Sequence, residues 1–369
     1  MPIASLKRMQ KQGETFVSCA QKGDVHSMQI LSAGKFQADE IIEYSRPRSG
    51  DRAVHLAARH DHVRVLEFLK VEGTDFETAN LDGKRALHEA AVSGNGSCVA
   101  FLLSTGVQVD PLKRADWTPL HLACTKADKD IIKQLIEHGA NPRLRNKDGW
   151  NALHIAAREG HVDILTYLLD CIPDLWDTVS KNGRTPLHTA ALHGKHRAVS
   201  LLLTRGSYPV DQADSCGSTP LMDALRDGFV DIAQLLVDQQ KAEVHKCDIL
   251  GRMAVHLAAQ AGCQSSVTFL VSQQQVGVDT PTTKGGSTPL HLAAKECHFT
   301  MLETLHSLGA NINAVDDKGR TALHIAAAIQ NRACVETLLR LGALDCPDKS
   351  GRTPSQLVQK QDILKLFDM

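Results

Sequence analysis

The chain has 369 residues, with 41 basic and 42 acidic side chains for a formal net charge of −1; 43% of residues are apolar but only 4% aromatic. A balanced charge excludes a general attraction to nucleic acid or to an anionic membrane, so any such surface has to be local. Abundant Leu and Ala with so few aromatics point to many small helices in close packing and to no large central core.

Ten cysteines (Cys19, Cys98, Cys124, Cys171, Cys216, Cys247, Cys263, Cys297, Cys334 and Cys346) are scattered without a C-x-x-C pair. The opening Met1-Pro-Ile-Ala-Ser-Leu-Lys-Arg-Met-Gln lacks the apolar core of a signal peptide. No stretch approaches the roughly 18 apolar residues of a membrane span. The expectation is an intracellular, cytoplasmic or nuclear chain with reduced thiols and no membrane partner.

In chain order, Phe16 to Leu31 reads as an N-terminal helical pair, and residues 32–50, with Pro47, as a longer irregular connection. A motif then recurs: Thr118-Pro-Leu-His121-Leu-Ala-Cys, Asn151-Ala-Leu-His154-Ile-Ala-Ala, Thr185-Pro-Leu-His188-Thr-Ala-Ala, Thr288-Pro-Leu-His291-Leu-Ala-Ala and Thr321-Ala-Leu-His324-Ile-Ala-Ala. Looser copies carry His55, His88 and His256, and one has Met222 at the histidine position. The nine positions are separated by 33, 33, 33, 34, 34, 34, 35 and 33 residues. Thr suits the N-cap, Pro the first helical turn, and the small Ala pair admits a second helix closely. A turn with Gly precedes the motif, as at Asp82-Gly83 and Asp148-Gly149, and an apolar second helix follows, as in Val162 to Leu169. A unit of this size cannot bury an apolar face alone and must stack on its neighbours.

From about residue 47 onward the sequence resembles the ankyrin-repeat family. The resemblance implies an all-α solenoid of helix-turn-helix units with hairpin-like turns. It divides the chain into an N-terminal cap and connection over 1–46, nine repeats over 47–347 and a truncated capping repeat over 348–369. Repeats start near 47, 80, 113, 146, 180, 214, 248, 283 and 316, and no second domain is expected. Gln356 replaces the histidine in the last segment, where Gln359, Lys360, Gln361 and Asp362 add polarity.

Chemistry is absent from this pattern. Gly94-Asn-Gly96-Ser-Cys is neither a phosphate loop nor a dinucleotide turn. Eight histidines are motif histidines, to which regular placement assigns a hydrogen-bonding role inside each unit. His60 with His62, and His193 with His196, lack a carboxylate or thiol to complete a metal set. No catalytic residue, metal or cofactor is expected, and the function expected is that of a monomeric protein-binding scaffold or adaptor.

The resemblance places partner contacts on the hairpin tips and on the exposed face of each first helix. These are the positions seven, six and four before the motif histidine and four and five after it. Over nine units they hold 15 basic and 7 acidic residues, an excess that suits an acidic or mixed protein surface. RNA is the alternative partner of the same face, although interleaved aromatics are lacking. Trp117 and Trp150 share one position in adjacent units and Arg184 follows in the next, a combination typical of interface hot spots. The same indoles would also serve to cover the adjoining hairpin. Arg114, Lys126, Lys147 and Arg158 flank them, and Asp116 stands where Gly is usual in the turn. The resemblance further implies asparagine hydroxylation at Asn313.

Overall fold

The computed structural model describes residues 3–33 and 38–368. The chain divides into two compact units, Met1–Lys181 and Asn182–Met369, each a stack of the same helical pair. The first unit opens with helices Ile3–Lys22, Val25–Ser32 and Ala38–Ile42. Four pairs follow: Ala53–Arg59 with Val63–Val71, Ala86–Ser93 with Gly96–Ser104, Pro119–Cys124 with Lys129–Glu137, and Ala152–Glu159 with Val162–Cys171. Part of the segment read as irregular is therefore helical, because Ile41 and Ile42 are apolar enough to bury against the first helix. Residues 34–37 of that segment lie outside the described residues.

In the second unit Pro186–Leu192 pairs with His196–Arg205, Pro220–Arg226 with Val230–Gln240, Pro289–Lys295 with Phe299–Ser307, and Ala322–Ala328 with Arg332–Arg340. Ala254–Ala261 pairs with Gln264–Thr268, which continues as a π-helical turn, Phe269–Gln273. A π turn takes up an extra residue, and it falls where the spacing widens to 35. The short helices Pro354–Leu357 and Gln361–Leu364 end the unit. No strand occurs among the described residues.

One apolar column runs through each stack: Leu69, Leu102, Leu135 and Leu168 in the first unit, then Leu202, Leu236, Leu270, Leu305 and Leu338 in the second, all fully buried. Each lies fourteen residues beyond the motif position, on the face that its second helix turns inward. The expected N-caps form as well. The hydroxyls of Thr118, Thr185, Thr219 and Thr321 each accept from the backbone N–H three residues on.

The motif histidine does more than the intra-unit role expected of it. Its Nδ1 accepts from the N-cap backbone N–H, at 3.1 Å in His55, His88, His121, His256, His291 and His324. Nε2–H is then free to donate to a carbonyl near the following repeat. In the first unit His55 reaches Lys84 at 2.9 Å, His88 reaches Trp117 at 3.1 Å and His121 reaches Leu144 at 3.0 Å. In the second, His188, His256, His291 and His324 reach Ser218, Thr280, Arg320 and Arg352. A neutral imidazole is required, because one nitrogen accepts while the other donates. Burial supplies it: the pKa of His55 and of His291 is lowered, and those of His88, His121, His188 and His256 are pushed down to about 4.

Six of the hairpin turns share one device, and the third repeat departs from it. Asn80, Asn146, Asp214, Asp248, Asp316 and Asp348, eight residues before the motif position, each accept two backbone N–H groups of their own turn through Oδ1. Lys113 occupies this place in the third repeat and has no acceptor to offer. There Ala115 and Asp116 both take positive φ, 65° and 59°, without the freedom of glycine. Replacing Ala115 with Gly is expected to stabilise the first unit by about 0.5–1 kcal/mol, since relief of the left-handed strain outweighs the added chain entropy. A urea midpoint that falls in Ala115→Gly would show that the turn is not strained.

Candidate functional site

The exposed face is built from two kinds of basic residue, separated by where their carboxylates lie. In the first kind a buried acid holds the cation. Arg59 bonds Glu89 at 2.9 and 3.0 Å and Asp51 at 3.1 Å, and Lys84 lies 3.3 Å from Glu89. Arg184 grips Asp223 at 2.8 Å and Asp214 at 3.0 Å. Arg252 and Arg320 each pair with an aspartate four residues earlier, at 2.7 Å. Glu89, Asp51, Asp214, Asp223, Asp248 and Asp316 are nearly inaccessible on their side chains. Four of these acids, Asp214, Asp223, Asp248 and Asp316, and also Glu89, lie eight before or one after a motif position, outside the positions counted above. Much of the apparent basic excess is thus neutralised in place.

The second kind also includes Arg48, Lys181, Lys284, Lys295 and Lys318, and four of its members, Arg114, Lys126, Lys147 and Arg158, lie in the repeats that begin near 113 and 146. Their corresponding positions hold Lys113 with Leu122 and Asn146 with Ile155, so no buried carboxylate is available. Lys126 and Lys147 are exposed with no ion pair among the described residues, as is Lys181. Arg114 lies 3.6 Å from Asp82 and Arg158 3.9 Å from Glu159, loose contacts between solvated groups that contribute little. Burial, then repulsion from Lys84, lowers the pKa of Lys113, and Arg114 adds to the effect.

The two indoles are half-buried, each against its own motif histidine. Trp117 meets His121 edge-on at 5.9 Å and Trp150 stacks on His154 at 6.5 Å. A cation covers each ring at 5.7 Å, Lys113 over Trp117 and Arg158 over Trp150. They make no ring contact with each other. Of the residues expected to form one patch, the structure joins Trp150 to Arg158. Arg184 belongs to the second unit and is committed to Asp214 and Asp223.

Asn313 clasps two hairpins: its Oδ1 accepts from the Leu344 N–H at 2.8 Å and its Nδ2 donates to the Gly342 carbonyl at 3.3 Å. An enzyme acting on this side chain would have to open the clasp. Among the described residues no three His, Cys, Asp or Glu side chains are grouped to hold a metal ion, and no helix is long and apolar enough to cross a membrane.

Sequence reasoning overlooked Leu81, whose side chain is 62% exposed on a hairpin tip between Arg48 and Arg114. An apolar residue among the otherwise charged tips of the first unit, Arg48, Arg114, Lys147 and Lys181, was the available signal.

Stacked helical pairs, bonded repeat to repeat through histidine and hairpin, define a solenoid of the protein-binding class. Models of ankyrin repeats match residues 16–113, 107–178, 172–248 and 290–339, and the chain belongs to the ankyrin-repeat family, whose repeats mediate protein–protein interaction. Relatives include neurogenic locus notch homolog protein 1 of Homo sapiens, 50% identical over 58 residues, which are 16% of this chain and 2% of that protein. Rabankyrin-5 of Mus musculus is 36% identical over 73 residues, 19% of this chain and 6% of its own. A putative palmitoyltransferase, ZDHHC13 of Danio rerio, is 36% identical over 78 residues, 21% of this chain and 12% of that one. The chain thus spans only a small part of each relative.

Proposed function

We propose that this chain is a non-catalytic, monomeric adaptor of the cytoplasm or nucleus that binds an acidic surface of another protein through the repeats beginning near 113 and 146. One observation carries this reading: the cations there, Arg114, Lys126, Lys147 and Arg158, lack the buried carboxylates that neutralise Arg59, Lys84, Arg184, Arg252 and Arg320, and unlike the equally unpaired Lys295 and Lys318 they share their repeats with two half-buried indoles, Trp117 and Trp150. Uncompensated charge attracts and orients an oppositely charged partner, and it does so mainly at the encounter step. Trp117 and Trp150 supply apolar edges beside it, the residue type that anchors interfaces.

Proteins captured by the intact chain should be lost or strongly depleted when Lys126 and Lys147 are both changed to Glu. They should be retained when Lys295 and Lys318 of the second unit are changed likewise. The lysine reversals should alter stability by less than about 0.5 kcal/mol, as solvated positions do. Trp150→Ala is expected to weaken binding by about 2 kcal/mol, but also to cost stability, because the ring packs on His154. Equal depletion by both lysine pairs would remove the case for these two repeats. Nuclease-sensitive capture would favour RNA.

A further inference from the structure

The first unit carries a row of side chains at a fixed spacing. On each hairpin tip, the residue seven before the motif histidine donates its backbone N–H to the carbonyl of the preceding tip. Leu81 bonds Ser49, Arg114 bonds Asp82, Lys147 bonds Ala115 and Lys181 bonds Asp148, each at 3.0 Å. Glycines make the approach possible. A Cβ on Gly50 would lie 2.7 Å from the Leu81 nitrogen, and one on Gly149 would lie 2.5 Å from that of Lys181. Both glycines also hold positive φ.

Tips locked in this way cannot slide past one another, and the step between successive members of the row is set by the separation of packed helices, about 8–10 Å. In order they are Arg48, Leu81, Arg114, Lys147 and Lys181, all exposed. The acids that share these tips are Asp82, Asp116 and Asp148, with Asp51 buried against Arg59, and against the four cations of the row they leave it net positive.

A partner has to match this period while keeping one edge toward the row. In a β-strand three residues advance about 10 Å, but the third residue points to the opposite face. In an α-helix seven residues advance about 10.5 Å, yet the face drifts by about 20° per heptad and is lost over four steps. In polyproline II three residues make one turn of about 9.3 Å, so every third side chain returns to the same edge.

We propose that the row binds an acidic protein segment in the polyproline II conformation, with Asp or Glu at every third residue and an apolar residue at the step facing Leu81. The proposal rests on the basic-surface reading above and adds a register to it.

Fluorescence anisotropy of the full chain with labelled synthetic peptides of about five such turns tests it. One peptide carries Glu at every third position among Pro and Ser, with a single Leu in the second or fourth triplet to allow for either direction. A second has the same composition permuted, and a third places Glu every seventh residue in a helix-forming sequence. The triplet peptide is expected to bind about tenfold more tightly than the permuted one. Lys147→Glu should weaken it about as much, Leu81→Ser should erase the advantage of the Leu, and Lys318→Glu should change nothing. Equal binding of triplet and permuted peptides would overturn the register and leave the basic surface standing. Tighter binding of the helical peptide would overturn the conformation. Failure of every acidic peptide at low salt would overturn both this proposal and the one beneath it.

Discussion

Lowering the pH from 7 to 4 is expected to unfold each unit, driven by the motif histidines. The pKa of His88 and His121 in the first unit, and of His188 and His256 in the second, lies at about 4 in the folded chain because burial disfavours the imidazolium. Once unfolded, the same rings titrate near 6.5. Between these values the unfolded chain binds more protons, so stability is complete above about pH 7 and declines as the pH falls through 6.5 toward 4. A shift of this size is worth on the order of 3 kcal/mol per ring, and two rings per unit reach the scale of a whole domain's stability.

Depressed carboxylates such as Glu89 and Asp51 lose their contribution only below the ordinary carboxylate range, so they add at a lower pH. Trp117, Trp150 and Trp176 all lie in the first unit, so tryptophan fluorescence follows that unit while circular dichroism follows both. His88→Gln with His121→Gln should move the fluorescence transition to lower pH and leave the second unit unchanged. Gln is a fitting replacement, since Gln356 Oε1 already accepts the Thr353 N–H at 3.1 Å in the last repeat. A transition that stays in place in this double variant would assign acid unfolding to other groups.

Glu89→Ala is expected to destabilise the first unit by about 3 kcal/mol, as measured by the urea midpoint of tryptophan fluorescence. Removing one member of a buried ion cluster strands its partners. Glu89 is 2% exposed and takes two bonds from Arg59 and one contact from Lys84. Burial alone would raise its pKa, but the bonds from Arg59, with Lys84 behind them, hold it below the usual value. Arg59 in turn titrates higher than an ordinary arginine, chiefly through Glu89. The corresponding residues of neighbouring repeats are Leu56, Leu122 and Ile155, so an apolar side chain fits this position. Glu89→Leu combined with Arg59→Leu should therefore recover at least half of the loss, because packing replaces an interaction whose desolvation nearly cancels its attraction. A double variant less stable than Glu89→Ala would show that the cluster contributes well beyond its packing.

Sequence alone determined the helical pair and its stacking, because both depend on features repeated at a fixed interval. The Thr cap, the Pro of the first turn, the Ala pair and the histidine each act within a few residues of one another. The helical pair read over Phe16 to Leu31 is present, but its first helix starts at Ile3, and neither that extension nor the short helix Ala38–Ile42 carries the repeat pattern. Which cations of the exposed face remain free was decided by tertiary structure. Arg59 finds Glu89 across 30 residues of chain, and Arg184 finds Asp223 across 39. Charges counted position by position within one repeat cannot reveal a partner supplied by the next. Stacking also turned Trp117 and Trp150 onto His121 and His154, because an indole edge left in water gains by covering the imidazole already buried beneath it. Local pattern thus specifies each unit, whereas the charge that a partner meets depends on which side chains the stack brings within about 3 Å of each other, the distance of a charge-assisted hydrogen bond.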